Sequence, residues 1–378
     1  MDALIGYFLY FLSLLSVGGI YALLALGLNV NWGFAGLFNA GIAGFAAVGA
    51  YTFSLLTTAE STFHYGGLGL PVVIGEIAAF LIAGIIAAVI GIICIRLRAD
   101  YLAIATIGIA EIIKLIFKNE VELTNGPRGI SKIPRTWEHF SEARYFSSKP
   151  LSWFGDSQSW QAFFDSLVNW WWQPLFAMTI LFFVFVVYIM LEKARLSPWG
   201  RMMTAIRENE VAARAAGKNV TKRRVEAFII GTMIMGLAGA LLAQHLRFIE
   251  PTHTFDPSKM TFLVWVMLIA GGSGNNRGAI FGAFLIWFVW SASELFLNGF
   301  IDIIGNIFNG MDISMLKNRS GYLRMLLIGL VLQFVLQKYH QNYHQVTLKE
   351  CLTQWLIYTT GLQERLMVIK NLMGNIQH

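Results

Sequence analysis

The residues best placed to act on another molecule lie in one polar stretch, Ser197 to Arg224 (SPWGRMMTAIRENEVAARAAGKNVTKRR). Within Gly200 to Gly217, Met203, Ile206, Glu210, Ala213 and Gly217 recur at spacings of three and four, which predicts a helix. A helix this short and this rich in Arg and Ala cannot span a bilayer. It is expected to lie across a membrane face and dock on something soluble. A second set is made of amides: Asn29, Asn31 and Asn39, set among glycines and alanines that include Gly41. Such groups cost free energy in lipid unless they find partners or face a cavity. Two readings stand: they cap a helix and bond a neighbour, or broken backbone and amides here line a translocation path. Glu111 and Lys114, three apart on one helical face, are either a transport-active pair or a mutually neutralising one near the outer end of their span.

Catalytic chemistry has little to work with. No His/Cys/Asp/Glu set has metal-ligand spacing, and no nucleophile elbow occurs. Cys94 and Cys351 form no paired framework, and the seven histidines are scattered. GGSGNNRG (Gly271 to Gly278) has the composition of a phosphate-cradling loop, but no Lys-Ser/Thr pair follows and no strand precedes it. It is expected to be a turn between helices. No cofactor, no metal and no enzymatic activity are expected.

These candidates sit in a chain whose solvent is lipid. Of 378 residues, 56% are hydrophobic and 13% charged, more apolar surface than one soluble core of that size buries. The net charge of +6 falls in short loops, as expected of a membrane protein, so no nucleic-acid partner is expected. The fold class is all-α, a polytopic integral membrane protein of about nine transmembrane helices, roughly eight to ten. The expected spans are Ala3 to Leu28, Asn29 to Leu56, Pro71 to Ile95, Tyr101 to Phe117, Pro174 to Leu191, Val225 to Leu246, Met260 to Ala270, Ala279 to Leu297 and Tyr322 to Leu336. Asp2 rather than a basic region precedes the first span, which is expected to be retained. Small-residue stripes at spacing four, Ala83, Ala87, Gly91 and Thr232, Gly236, Ala240, would let helices approach closely.

Charge sets the expected orientation. Segment 192–224 carries nine bases against three acids, which marks the loop 193–224 as cytoplasmic. Loop 118–173 carries six of each, which suits the extracytoplasmic face and places the N-terminus outside and the C-terminus inside. Residues 1–337 then form the transmembrane domain. Residues 338–378 form an amphipathic tail, with Leu352, Leu356, Leu362, Leu366, Ile369 and Met373 mostly three or four apart, that lies on the inner membrane surface or on a partner.

Five stretches in order carry a resemblance: GFAGLFNAGIAGFAAVGAY (Gly33 to Tyr51), LRADYLAIATIGIAEI (Leu97 to Ile112), TNGPRGI (Thr124 to Ile130), the segment Ser197 to Phe228, and GGSGNNRGAIFGAF (Gly271 to Phe284). Together they resemble the LivM-type permease of branched-chain amino-acid ABC transporters. The resemblance implies an importer subunit moving branched-chain or other neutral amino acids across the inner membrane. Its implied partners are a second, LivH-type permease, two cytoplasmic ATPase subunits and a periplasmic amino-acid-binding protein. The family's ATPase-coupling segment maps onto Glu208, Glu210, Ala212, Ala213 and Gly217, with Arg207 and Arg214 able to pair with acids of the ATPase. This chain has Asn39, Ala40 and Gly41 where many relatives carry a Gly-His-Gly type sequence, which keeps a urea permease of the same family open. It also replaces a basic Arg-Pro ending with QKYHQNYHQ and extends the loop around Trp137 to Trp172, as in cyanobacterial neutral amino-acid permeases. A stand-alone carrier or channel is the reading from another class.

Overall fold

The computed structural model describes residues 2–60, 65–97, 99–137 and 158–307. The chain falls into two units, 1–296 and 297–378; the second is described only over 297–307, where the last described helix continues. The expected ninth span and the tail lie outside the described residues.

Long apolar runs form the frame: α1 (Asp2–Leu28), α3 (Val72–Cys94), α4 (Ala99–Asn119), α6 (Gln158–Leu196), α9 (Val220–Leu246) and α11 (Asn276–Ile307). Among the described residues four stretches are long and apolar enough to cross a membrane, Gly6–Phe34, Val72–Cys94, Trp172–Leu196 and Val220–Leu246. Shorter elements fill in: α2 (Ile42–Thr57), α5 (Val121–Thr124), α7 (Pro198–Glu208), α8 (Glu210–Ala215) and α10 (Pro257–Gly271). The chain is an all-α, multi-pass membrane protein. Among the described residues one antiparallel ladder, β1 (Ile130–Ser131) with β2 (Phe248–Ile249), pairs Ile130 with Ile249 and Ser131 with Phe248.

α9 is the centre of the bundle, packing on α3, α2 and α1. It can do so because its small residues meet backbone directly. A Cβ built on Gly239 would lie 1.9 Å from the carbonyl oxygen of Ala46 in α2, and one on Gly49 of α2 would lie 1.9 Å from that of Gly236. Gly236 in turn faces Ala83 of α3, so both stripes read in the sequence meet at one three-helix contact. Without a hydrophobic drive between helices in lipid, such close packing is a main source of association.

Three sequence expectations change. The expected second span, Asn29 to Leu56, is not one segment. Asn29–Phe34 is a π-helical turn that continues α1, and the backbone then breaks over 35–41 before α2 begins. Gly36, at φ +68, makes the reversal there, and Leu37 N–H closes it on Asn31 O at 2.8 Å. The fifth span begins earlier than Pro174, because α6 starts at Gln158 and carries that proline inside it. The single helix expected over Gly200 to Gly217 is two, α7 and α8, parted at Asn209 (φ −149, ψ 96). α11 runs ten residues past the expected end of the eighth span at Leu297, and elsewhere among the described residues the boundaries move by about five residues or fewer. Glu111 and Lys114 pair with each other at 2.7 Å.

At the end of the bundle opposite α7 and α8, Arg135 donates to the carbonyls of Gln244 and His245 at 3.0 and 2.9 Å. Gln244 Nε2 donates to the buried Glu76 carboxylate at 2.8 Å, and Thr136 Oγ donates to Gln244 Oε1 at 2.6 Å. This network ties the loop after β1 to α3 and α9.

Gly49→Ala and Gly239→Ala should each force α2 and α9 apart, at a cost of about 1–3 kcal/mol or more from overpacking. Thermal unfolding in detergent checks this: the midpoint should fall for both and hold for Gly6→Ala, where the added Cβ meets nothing within 4 Å.

Candidate coupling site

The sequence from Ser197 to Arg224 folds as three capped helices. Ser197 accepts from Gly200 N–H to start α7, and Pro198 fills its first turn, where a missing N–H is harmless. Met203 and Ile206 are buried, which leaves Arg207 and Glu208 exposed. Asn209 caps α8 by accepting from Ala212 N–H at 3.0 Å, and Asn219 caps α9 by accepting from Lys222 N–H at 3.1 Å. Between them Gly217, at φ +76, turns the chain, with Lys218 N–H bonded to Ala213 O. Ala213 faces inward, while Val211, Ala212, Ala215 and Ala216 are exposed, and Val211 is 77% exposed. The result is a small apolar surface held out at the basic end of the bundle.

Ion pairs orient this element. Glu210 pairs with Arg214 at 2.5 Å and with Arg224 of α9 at 2.8 Å. Arg214 is 61% exposed, so the pairs add little stability; they fix direction.

Arg207 does something else. Its Nη1 donates to the carbonyl of Gly33 in the π-turn. The same turn is bonded outward from Asn29, which accepts from Gly274 N–H at 2.7 Å and donates to Asn276 Oδ1 at 2.9 Å. Asn276 Nδ2 then donates to Glu192 near the end of α6, also at 2.9 Å, and Glu192 pairs with Arg195 at 2.6 Å. α7, the end of α1, the glycine turn before α11 and the end of α6 are thus one hydrogen-bonded unit. The glycine-rich loop is a helix–helix turn, as its sequence suggested, and Gly274, at φ +87, lets it face both Arg207 and Asn29.

Asn39 and Gly41 stand in the break rather than with Asn29. Asn39 Oδ1 accepts from Gly41 N–H at 2.9 Å. Ala40 N–H reaches Thr106 Oγ of α4 at 3.0 Å, and Ala43 N–H reaches Thr261 Oγ of α10 at 3.3 Å. Trp32, Phe38 and Trp265 form an aromatic cluster of tilted and edge-on rings, with centroids 3.8 to 5.9 Å apart. Asn31 is fully buried at Gly231 of α9, and its amide makes no hydrogen bond to any described residue. Glu192, Asn276 and Thr106 escaped the sequence reading. The signal that was present, Asn275 and Asn276 in a glycine turn, carried no hint that its partner stood 247 residues away.

A bundle of lipid-length helices, with backbone broken inside it and a short pair of basic helices hung between two spans, defines a polytopic helical membrane domain. The chain belongs to the family described as the branched-chain amino acid transport system permease component, whose model matches residues 10–336. It is 34% identical over 278 residues to the high-affinity branched-chain amino acid permease protein LivM of Salmonella typhimurium, covering 71% of this chain and 60% of that one. It is 30% identical to a probable LivM of Methanocaldococcus jannaschii, over 70% and 75% of the two chains. To the permease protein LivH of Salmonella typhimurium it is 25% identical, over 77% and 88%. The match thus spans about 60% of the length of the bacterial LivM relatives. No solved structure matches the chain.

Asn276→Ala should leave the buried Asn29 Nδ2 without its acceptor, while Glu192 keeps Arg195, and cost about 1–3 kcal/mol, the effect of leaving a buried polar group unpaired. A fall in the unfolding midpoint, with Ser273→Ala, exposed in the same turn, unchanged, is the expected outcome.

Proposed function

We propose that this chain is the permease subunit of a binding-protein-dependent ABC importer that moves branched-chain or other neutral amino acids, with ATP hydrolysed on separate subunits. The observation that carries this is the exposed apolar face of α8, continuous through α7 and Arg207 with the broken backbone in the bundle. An exposed surface of Val211 and alanines suits a groove on a soluble partner, because small side chains let a helix seat closely. The nine bases of 192–224 against three acids favour the cytoplasmic side for that face. The N-terminus is then periplasmic, the C-terminus cytoplasmic and the membrane the inner one. The partners are a second permease of the LivH type, two ATPases beneath and a periplasmic amino-acid-binding protein.

In this mechanism the ATPase dimer closes and carries α8 with it. Arg207, Glu208, Glu210, Ala212 and Gly217 form the moving contact, with Ala213 packed inward behind them. Arg207 passes the displacement to Gly33, and hence to the π-turn with Asn29 and Asn31 and to the break with Asn39 and Gly41. α2 has 16 residues and rises about 24 Å, short of the roughly 30 Å of hydrocarbon. The break therefore lies within the membrane thickness, where irregular backbone is tolerated when it is buried in protein or lines a path. The chain holds no ATP site and does no chemistry on its cargo.

Two measurements test this. Co-purification from the native membrane in mild detergent should recover a second permease and two ATPases; recovery of the chain alone, active in liposomes without ATP, would overturn the proposal. Ala212→Trp should reduce coupled uptake about tenfold or more, as for a central interface contact, while leaving the unfolding midpoint unchanged because Ala212 is exposed. Competition of uptake by neutral amino acids and by urea assigns the cargo.

A further inference from the structure

A cavity of about 910 Å³ opens at the basic end of the bundle, between the end of α3, the start of α4, the start of α9 and α8. Its apolar lining is buried: Leu37 of the break, Ile95, Leu102 and Val220. Its charged lining is Arg96, Arg214, Lys222 and Arg224 against a single carboxylate, Glu210. That carboxylate is already shared between Arg214 and Arg224, which leaves Arg96 and Lys222 exposed at the opening. The guanidinium Nε of Arg224 is buried and donates to no described residue. The N-terminus of the 27-residue α9 opens on the same space and adds a partial positive charge. Cavity, cation excess and unspent donor all point to an anion.

The surroundings narrow the source of that anion. Ile85, Val89, Ile92 and Ile93 form an exposed apolar stripe along α3 that runs to Arg96 and Leu97 at the cavity. Leu97 is itself exposed, and so is Tyr101 at the start of α4. A free anion would use the cations and leave the stripe idle. A phospholipid uses both, with acyl chains along α3 and the headgroup phosphate among the cations; basic pockets between transmembrane helices on the cytoplasmic side take anionic headgroups in this way.

We infer that this cavity is a binding site for the phosphate headgroup of an anionic phospholipid of the inner leaflet. The inference rests on the cytoplasmic placement of α8 in the proposed function. Glu210 and Arg214 belong to both α8 and the cavity, so a bound headgroup competes for the cations that orient α8. Anionic lipid thereby sets the position of the coupling helix.

The test is native mass spectrometry of the full chain in mild detergent, titrated with phosphatidylglycerol or phosphatidylcholine, each with and without inorganic phosphate. The variants are the double substitution Arg96→Gln and Lys222→Gln, and Lys118→Gln, an exposed cation at the far end of α4, as the control. The expected result is retention of phosphatidylglycerol but not phosphatidylcholine, undisturbed by inorganic phosphate. Retention should weaken about tenfold or more in the double variant, as for two cations near an anionic surface, and hold in the control. Equal retention of both lipids, or no change in the double variant, overturns the site. Displacement by inorganic phosphate overturns the lipid assignment in favour of a free phosphate anion. An unfolding midpoint equal to that of the unsubstituted chain shows that the variant is folded. Loss of lipid with the ATPases still co-purifying counts against this inference alone; lipid retained by a chain that recovers no ATPase counts against the coupling role alone.

Discussion

Inside a bilayer every backbone polar group must be satisfied by protein, and the break at 35–41 is where this chain has to meet that demand. The N–H groups of the break and of the first turn of α2 are met from three directions. Thr106 of α4, Thr261 of α10 and Asn39 of the break itself accept from Ala40, Ala43 and Gly41. Those bonds fix where α4 and α10 stand around the start of α2. The aromatic cluster of Trp32, Phe38 and Trp265 adjoins the break. The helix entrance is thus built from side chains of other helices, and the rest of the bundle is arranged to bring them there.

The same break is bound to the basic end of the molecule. Asn29 and Gly33 lie one helical turn apart in a π-helical segment, a geometry often found at functional positions. The first bonds the glycine turn and, through Asn276, α6; the second bonds Arg207 of α7. Side-chain hydrogen bonds therefore join α7 directly to the end of α1, next to the break. On the other side, the backbone contacts of Gly49 and Gly239 leave α2 and α9 no room to slide independently. Close packing makes such helices move as bodies.

Much of the helical frame was legible in residues. The apolar runs gave α1, α3, α6 and α9 because lipid leaves the sequence one solution, a helix long enough to cross. The two small-residue stripes of Gly236 and Ala83 were visible by spacing alone, though not that they meet each other. The expected second span failed because the hydropathy of Asn29 to Leu56 is nearly continuous across a reversal set by Gly36. The single docking helix failed because its spacing pattern ran unbroken through Asn209, a residue whose capping preference was as strong a signal as the pattern itself. Arg207, Glu210 and Asn29 were named from type and position. Their partners Gly33, Arg224 and Asn276 were not, since each stands on a different element.

By itself the sequence determined the solvent and the long helices, because hydrophobic length is a local property of a chain in a membrane. The five ordered motifs pointed to the family, and the matched residues 10–336 bear that out. Only the tertiary structure decided that the amides divide into two groups. Asn29 joins the hydrogen-bonded unit with the glycine turn and α6, while Asn39 and Gly41 dress the start of α2. A hydrogen bond across 247 residues depends on how the helices pack, and packing is a property of the whole bundle rather than of any stretch within it.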